Sequence, residues 1–139
     1  MRADTTSDLE ANKEVVRRCL DVWSAGDVAG ILDLLDDSAT WWTPGMGDMS
    51  KAEFAAASRG AGKLFKAPMR LTPTSVTAEE HRVAVEVTAN AELTNGRVYD
   101  NLYYMLFVVR HGKINQVKEY HDTMLAKETF ATLMPSADA

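Results

Sequence analysis

The last third of the chain constrains the fold most. Val83 to Asp122 reads as three long strands in succession, joined by tight turns. The first strand, Val83 to Leu93, alternates with period two and is closed by Asn95-Gly96, a pair that favours the φ > 0 turns matching strand twist. The second runs from Val98 to Val109 and is turned by His111-Gly112; the third runs from Ile114 to Asp122. Each exceeds the usual strand of about 5–6 residues. A long antiparallel meander must twist and coil, and a coiled sheet has a concave face. Period-two counting puts Tyr99, Asn101 and Tyr103 on one face of the second strand, and Val117, Glu119 and His121 on one face of the third.

The first half supplies helices. Ser7-Asp-Leu-Glu10 fits a capping box, and Leu9, Val15, Val16, Cys19, Leu20 and Trp23 then recur at helical spacing as one stripe. Gly26 is placed to end that helix in the left-handed conformation, and Asp27 to cap a second, Val28 to about Leu35. Thr40-Trp41-Trp42-Thr43 reads as a short strand stopped by Pro44-Gly45, and Gly45 to Met49 as a mobile rim. Ser50-Lys-Ala-Glu53 is a second capping box, opening a helix to roughly Phe65 whose buried side includes Phe54, Ala57 and Ala61. Gly60 and Gly62 cost that helix up to about 1 kcal/mol each; they either permit close packing or mark a weak region. Met69 to Ala78, with Pro73 inside it, predicts an edge or bulged strand. Thr123 to Phe130 predicts a short terminal helix. Residues 1–6 and 135–139 are expected to fray.

Helices gathered early and strands late make an α+β pattern rather than the strict alternation of a doubly wound sheet. The expected architecture is a cone-shaped roll: a strongly curved, mostly antiparallel sheet with about three helices of the N-terminal half packed on its concave face. Long strands over short helices leave part of the hollow unfilled, and that gap is a natural small-molecule pocket. With 139 residues and neither repeat nor linker, the chain is expected to be one domain, 1–139. A net charge of −5 without any Lys/Arg cluster argues against nucleic acid as a partner. One cysteine, Cys19, excludes an internal disulfide, and three histidines without HxH or HxxxH spacing give no metal site. No run approaches the about 20 apolar residues of a membrane span. The polar N-terminus lacks the apolar stretch of a signal peptide, so a cytoplasmic location is expected.

Four segments carry a family likeness. They are Trp41-Trp42-Thr43-Pro44-Gly45, Gly96-Arg97-Val98-Tyr99-Asp100-Asn101-Leu102-Tyr103, Gly112-Lys113-Ile114 and Lys118-Glu119-Tyr120-His121-Asp122-Thr123. From Leu9 to Phe130 the chain resembles the nuclear transport factor 2-like superfamily, and within it the SnoaL-like proteins related to ketosteroid isomerase. The superfamily holds isomerases, cyclases, epoxide hydrolases, dehydratases and binders with no chemistry, so likeness alone does not choose among them. In limonene-epoxide hydrolases an acid in an Arg-Asp-Tyr motif on the last strand activates water, and Lys118-Glu119-Tyr120 is similar. Those enzymes also use an Arg and a second Asp on an earlier strand, whereas Thr88 to Glu92 contains no Arg. Ketosteroid isomerases place their proton-shuttling Asp before a Pro; here that slot is Thr43, which cannot shuttle a proton between carbons. SnoaL-type cyclases close rings with a late-strand acid and no cofactor, a pattern Glu119 satisfies.

Glu119 is therefore the expected proton-transfer residue. A carboxylate facing an apolar pocket is raised toward neutrality by desolvation, so it can take and return protons near working pH. The other reading is a structural carboxylate held by polar neighbours. Asn101 is expected to orient Glu119 or stabilise developing charge, or else to satisfy a buried cluster. His121 is expected to assist Glu119, or to be a partly exposed strand-end histidine. Trp41, Thr43, Tyr99, Tyr103, Trp23 and Phe54 are the expected ligand-contacting residues, with Met46, Met49, Met69 and Met105 as an adaptable lining. On the opposite face, Leu102, Tyr104, Leu106 and Val108 form an apolar stripe, and a homodimer through the convex sheet is expected. The function expected is cofactor-independent acid/base catalysis on an apolar or polycyclic small molecule, with a non-catalytic binding or dimerising module as the alternative.

Overall fold

The turn residues do what their chemistry allows. His111 and Gly112 both take positive φ, 52° and 76°, and Gly96 takes 88°, reversing the chain tightly between long strands. The computed structural model describes residues 5–134. Its elements are α1 (Thr6–Ser24), α2 (Val28–Leu34), β1 (Leu35–Thr43), β2 (Gly47–Ser50) and α3 (Lys51–Gly62), followed by β3 (Arg70–Glu79), β4 (Arg82–Glu92), β5 (Val98–Arg110), β6 (Lys113–His121) and α4 (Thr123–Ala131). The six strands form one sheet in the order β2-β1-β6-β5-β4-β3. Every pairing is antiparallel except β1 with β6, which run parallel. This is the α+β cone expected from the sequence.

Much of the inner face of the sheet is apolar. Val83, Val85, Val87 and Ala89 of β4 and Met105, Phe107 and Val109 of β5 are buried, as are Ile114 and Val117 of β6. Val16, Cys19 and Leu20 of α1, Ile31 of α2 and Phe54 of α3 close over that face. Each Val, Leu, Ile, Met or Phe among them contributes about 1.5–3 kcal/mol through burial, which fixes the register, since a one-residue slip would turn the whole set outward. Cys19 behaves as a small apolar residue, and burial pushes its thiol up to about 12.

Several boundaries differ from the sequence expectation. The first capping box is Thr5 with Asp8, upstream of the expected Ser7 with Glu10. Thr5 and Thr6, expected to fray, are the cap and first residue of α1; the remaining residues of both expected tails lie outside those described. The strand around Trp41 begins at Leu35, because pairing with β6 recruits the polar stretch Asp36-Asp37-Ser38 across a register shift. Gly45 to Met49 is a hairpin rather than a loose rim, with β2 paired to β1 through Thr43↔Gly47 and Trp41↔Met49. Pro73 sits on the edge strand β3 and at a register shift, satisfying both alternatives for it.

Candidate functional site

The sheet and the helices do not fill the cone. A cavity of about 680 Å³ opens between α2, α3 and the inner faces of β5 and β6, a volume within the usual range of small-molecule sites. Its walls are mostly apolar: Trp23, Ile31, Met49, Phe54, Phe65 and Phe130 are among them. Among the expected ligand-contacting residues, Trp23, Thr43, Phe54, Tyr99 and Tyr103 line it, as does Glu119. Met46, Met49 and Met69 also line it, whereas Met105 is sealed in the core.

Glu119 is placed by alternation along β6 and by the parallel pairing of β1. Trp41 pairs with Val117, so its indole reaches the carboxylate two residues further on. Trp41 Nε1 donates to Glu119 Oε1 at 2.7 Å, and Glu119 lines the cavity. Desolvation raises the Glu119 carboxyl to about 7, against the opposing effect of the Trp41 N–H. Trp41 itself lies behind the wall rather than on it, only 1% exposed. It stacks on Phe54 at 3.9 Å between ring centroids and meets Trp23 edge-on at 5.3 Å. The two aromatics in front of it supply the wall the sequence assigned to Trp41 itself, while Trp41 fixes the rotamer of Glu119.

Asn101 does not touch the cavity. It is 4% exposed, and all four of its side-chain hydrogen-bonding positions are taken. Nδ2 donates to Tyr99 Oη at 2.9 Å and to the Asp122 carbonyl at 3.0 Å. Oδ1 accepts from the main-chain N–H of Leu102 at 2.7 Å and of Asp122 at 3.3 Å. Asn101 thereby pins the junction between β6 and α4 and sets the position of Tyr99. The hydroxyls of Tyr99 and Tyr103 are 2.7 Å apart. Burial raises both phenols above their ordinary value, so both stay protonated.

His121 pairs across the sheet with Tyr103 and stacks on its ring at 4.9 Å, tilted by 21°. Burial lowers its pKa despite neighbouring Asp122, so the imidazole is neutral at neutral pH. Its Nδ1 is buried without a hydrogen-bond partner among the described residues, as is Thr43 Oγ1 on the cavity wall. His121 thus backs Tyr103 and does not line the cavity. Sequence reasoning did not single out Phe65 and Phe130 as ligand-contacting residues. Their rings lie 5.9 Å apart and both contact Tyr99, making an aromatic corner between α4 and the segment after α3. The helical spacing of Phe130 in α4 was the one signal that could have found it. No cluster of His, Cys, Asp and Glu among the described residues is arranged to hold a metal ion.

A family model described as a SnoaL-like domain matches residues 16–117. Among solved structures, a SnoaL-like polyketide cyclase candidate from Jannaschia sp. CCS1 superposes with a TM-score of 0.81 at 16% identity, covering 96% of this chain and 100% of that one. Bal32a, from a soil-derived mobile gene cassette, is 26% identical with a TM-score of 0.76, covering 87% of this chain and 97% of its own. TerC, co-crystallised with polyporic acid, is 20% identical with a TM-score of 0.76, covering 86% and 97%. No curated protein matches in sequence.

Proposed function

We propose, from the premise that the chain belongs to the SnoaL-like domain family, that it is an acid/base enzyme needing no cofactor and acting on an apolar or polycyclic small molecule. The family fold is a small-molecule pocket, and structural neighbours include a polyketide cyclase candidate and the protein co-crystallised with polyporic acid. One observation carries the reading: a carboxylate held at Oε1 by a buried indole lines an apolar cavity, and desolvation raises it to about 7. Such a group is half ionised near neutrality, where it can both accept and return a proton. Glu119 is the proton-transfer residue, Trp41 its support, and Trp23, Phe54 and Thr43 shape the space the substrate fills. His121 supports Tyr103 from behind.

The reaction class is isomerisation, cyclisation, dehydration or water addition, each of which needs one proton moved at carbon or oxygen. The whole chain acts as one domain, in the cytoplasm, as a homodimer joined through the convex sheet. Leu102 at 71% and Tyr104 at 50% exposure support that surface, together with Tyr120, whose ring lies 5.0 Å from that of Trp42. No helix among the described residues is long and apolar enough to cross a membrane.

The test begins with thermal-shift screening against steroids, terpenoids, polyketides and aromatic acids, since a ligand that prefers the native state raises Tm. On any compound turned over, Glu119→Gln should lower kcat by about 10²–10⁴-fold while binding is retained. Unchanged kcat would leave a ligand-binding module on the same fold.

A further inference from the structure

Charge is distributed differently over the chain and over its cavity. The whole sequence carries a net charge of −5, yet the charged residues lining the cavity are one carboxyl, Glu119, and two cations, Arg59 and Lys66. The cations sit at its edge. Arg59, Ala61, Gly62 and Lys66 line the cavity and are exposed, so the end of α3 and the segment after it form the rim. Glu119 lies away from them: its carboxyl is shifted by desolvation and by the Trp41 N–H, with no share from either cation. Phe54, stacked on the indole that holds Glu119, marks the depth of the carboxyl on α3. Arg59 comes five residues later on the same helix, a rise of about 7.5 Å along the axis.

The two cations are not equivalent. Lys66 Nζ lies 2.8 Å from Glu92 Oε1, so its charge is already matched. Arg59 has no hydrogen-bond or ion-pair partner among the described residues. An exposed arginine is ordinarily satisfied by water, and its place in the last turn of α3 gives this one a favourable interaction with the helix dipole. That interaction asks only for positive charge, and a lysine would serve it equally. It leaves unused the planar fork of N–H donors that matches a carboxylate. Few surface arginines overhang an apolar hollow, and here the fork stands where a molecule filling the hollow would emerge.

We propose that Arg59 is a specificity-determining residue for substrates that carry a carboxylate on an apolar ring system, with the anion held at the rim and the rings filling the hollow between Trp23, Phe54 and Phe65. The proposal names the substrate class for the acid/base reading above, on which its catalytic meaning rests. Like charges disfavour each other across an apolar space, so the carboxylate of the substrate stays away from Glu119. Its uncharged end is thereby directed to the proton-transfer residue. A fused bicyclic ring is comparable in length with the rise from Phe54 to Arg59. The guanidinium then fixes which end of the molecule enters first, a choice the apolar walls alone do not make.

The probes are 2-naphthoate and 2-naphthamide, which share a fused bicycle and the shape of its substituent but differ in charge. Affinities are read by isothermal titration calorimetry on the full chain at low salt, at a pH below about 7 where Glu119 holds its proton. Wild type should bind the naphthoate more tightly. Arg59→Gln should weaken naphthoate binding about fivefold, the upper range for an ion pair open to solvent, and leave naphthamide binding unchanged. Arg59→Lys should recover part of the loss, because an ammonium keeps the charge without the fork. Added salt should erode the preference of the wild type. Equal affinities of the wild type for the two probes would overturn the proposal, as would a wild type that binds neither. So would an Arg59→Gln variant that keeps the preference, or one that weakens both probes alike. Glu119→Gln keeps the two readings apart. It should retain the naphthoate preference, since Arg59 is untouched, while its rate alone decides proton transfer; a preference lost in Glu119→Gln would overturn the assignment to Arg59.

Discussion

A carboxyl group on an apolar wall exchanges hydration for one indole N–H, and the exchange leaves a signature in stability. In the unfolded chain Glu119 loses its proton in the ordinary carboxylate range; in the folded chain it keeps it to about 7. Its contribution to stability is fully present at acid pH and is lost as pH rises through about 7. Glu119→Gln removes the titration. The variant should match wild type below the ordinary carboxylate range and be more stable above neutrality, by at most about 3 kcal/mol. Urea melts across that range check this, and an offset independent of pH would contradict it. The faces of Tyr99, Asn101, Tyr103, Glu119 and His121 were legible because alternation belongs to the backbone of any strand. The bond from Trp41 to Glu119 was not, because it joins residues 78 apart through a strand pairing no local pattern encodes. Nor was the saturation of Asn101, half of whose partners are main-chain groups of Asp122.

At the scale of elements, α3 shows what sequence can and cannot settle. Its capping box, Ser50 with Glu53, is present as read, since it needs only residues three apart. Gly60 and Gly62 left a choice between close packing and weakness. A Cβ added at either meets nothing within 4 Å, and neither is among the positive-φ glycines. No packing requirement holds them there, so the helix end over the cavity is weak by propensity alone. Gly60→Ala and Gly62→Ala should each raise stability by up to about 1 kcal/mol, read as a higher Tm without change in near-ultraviolet circular dichroism. A fall in Tm would mean that the glycines serve a constraint absent from these contacts. The start of β1 was illegible for the opposite reason: Asp36-Asp37-Ser38 has loop chemistry, and its neighbour β6 makes it a strand.

Across the whole molecule, the outer face of the sheet carries exposed apolar side chains among the described residues. Leu102, Tyr104 and Tyr120 are exposed there, and Tyr104 pairs directly with Tyr120. Leu102→Glu should convert the proposed dimer to a monomer at micromolar concentration, seen as a halved mass in light scattering, while the inner cavity keeps its ligand affinity. A monomeric wild type would remove the dimer from the model of function. Sheet order has a further consequence, for the time course of assembly. Because β1 lies between β2 and β6, the early hairpin has no central partner until the last strand has been made. A nascent chain leaving the ribosome must therefore wait for its C-terminal segment before the indole of Trp41 can meet Glu119, and a product terminated before β6 would lack both the complete sheet and that carboxylate.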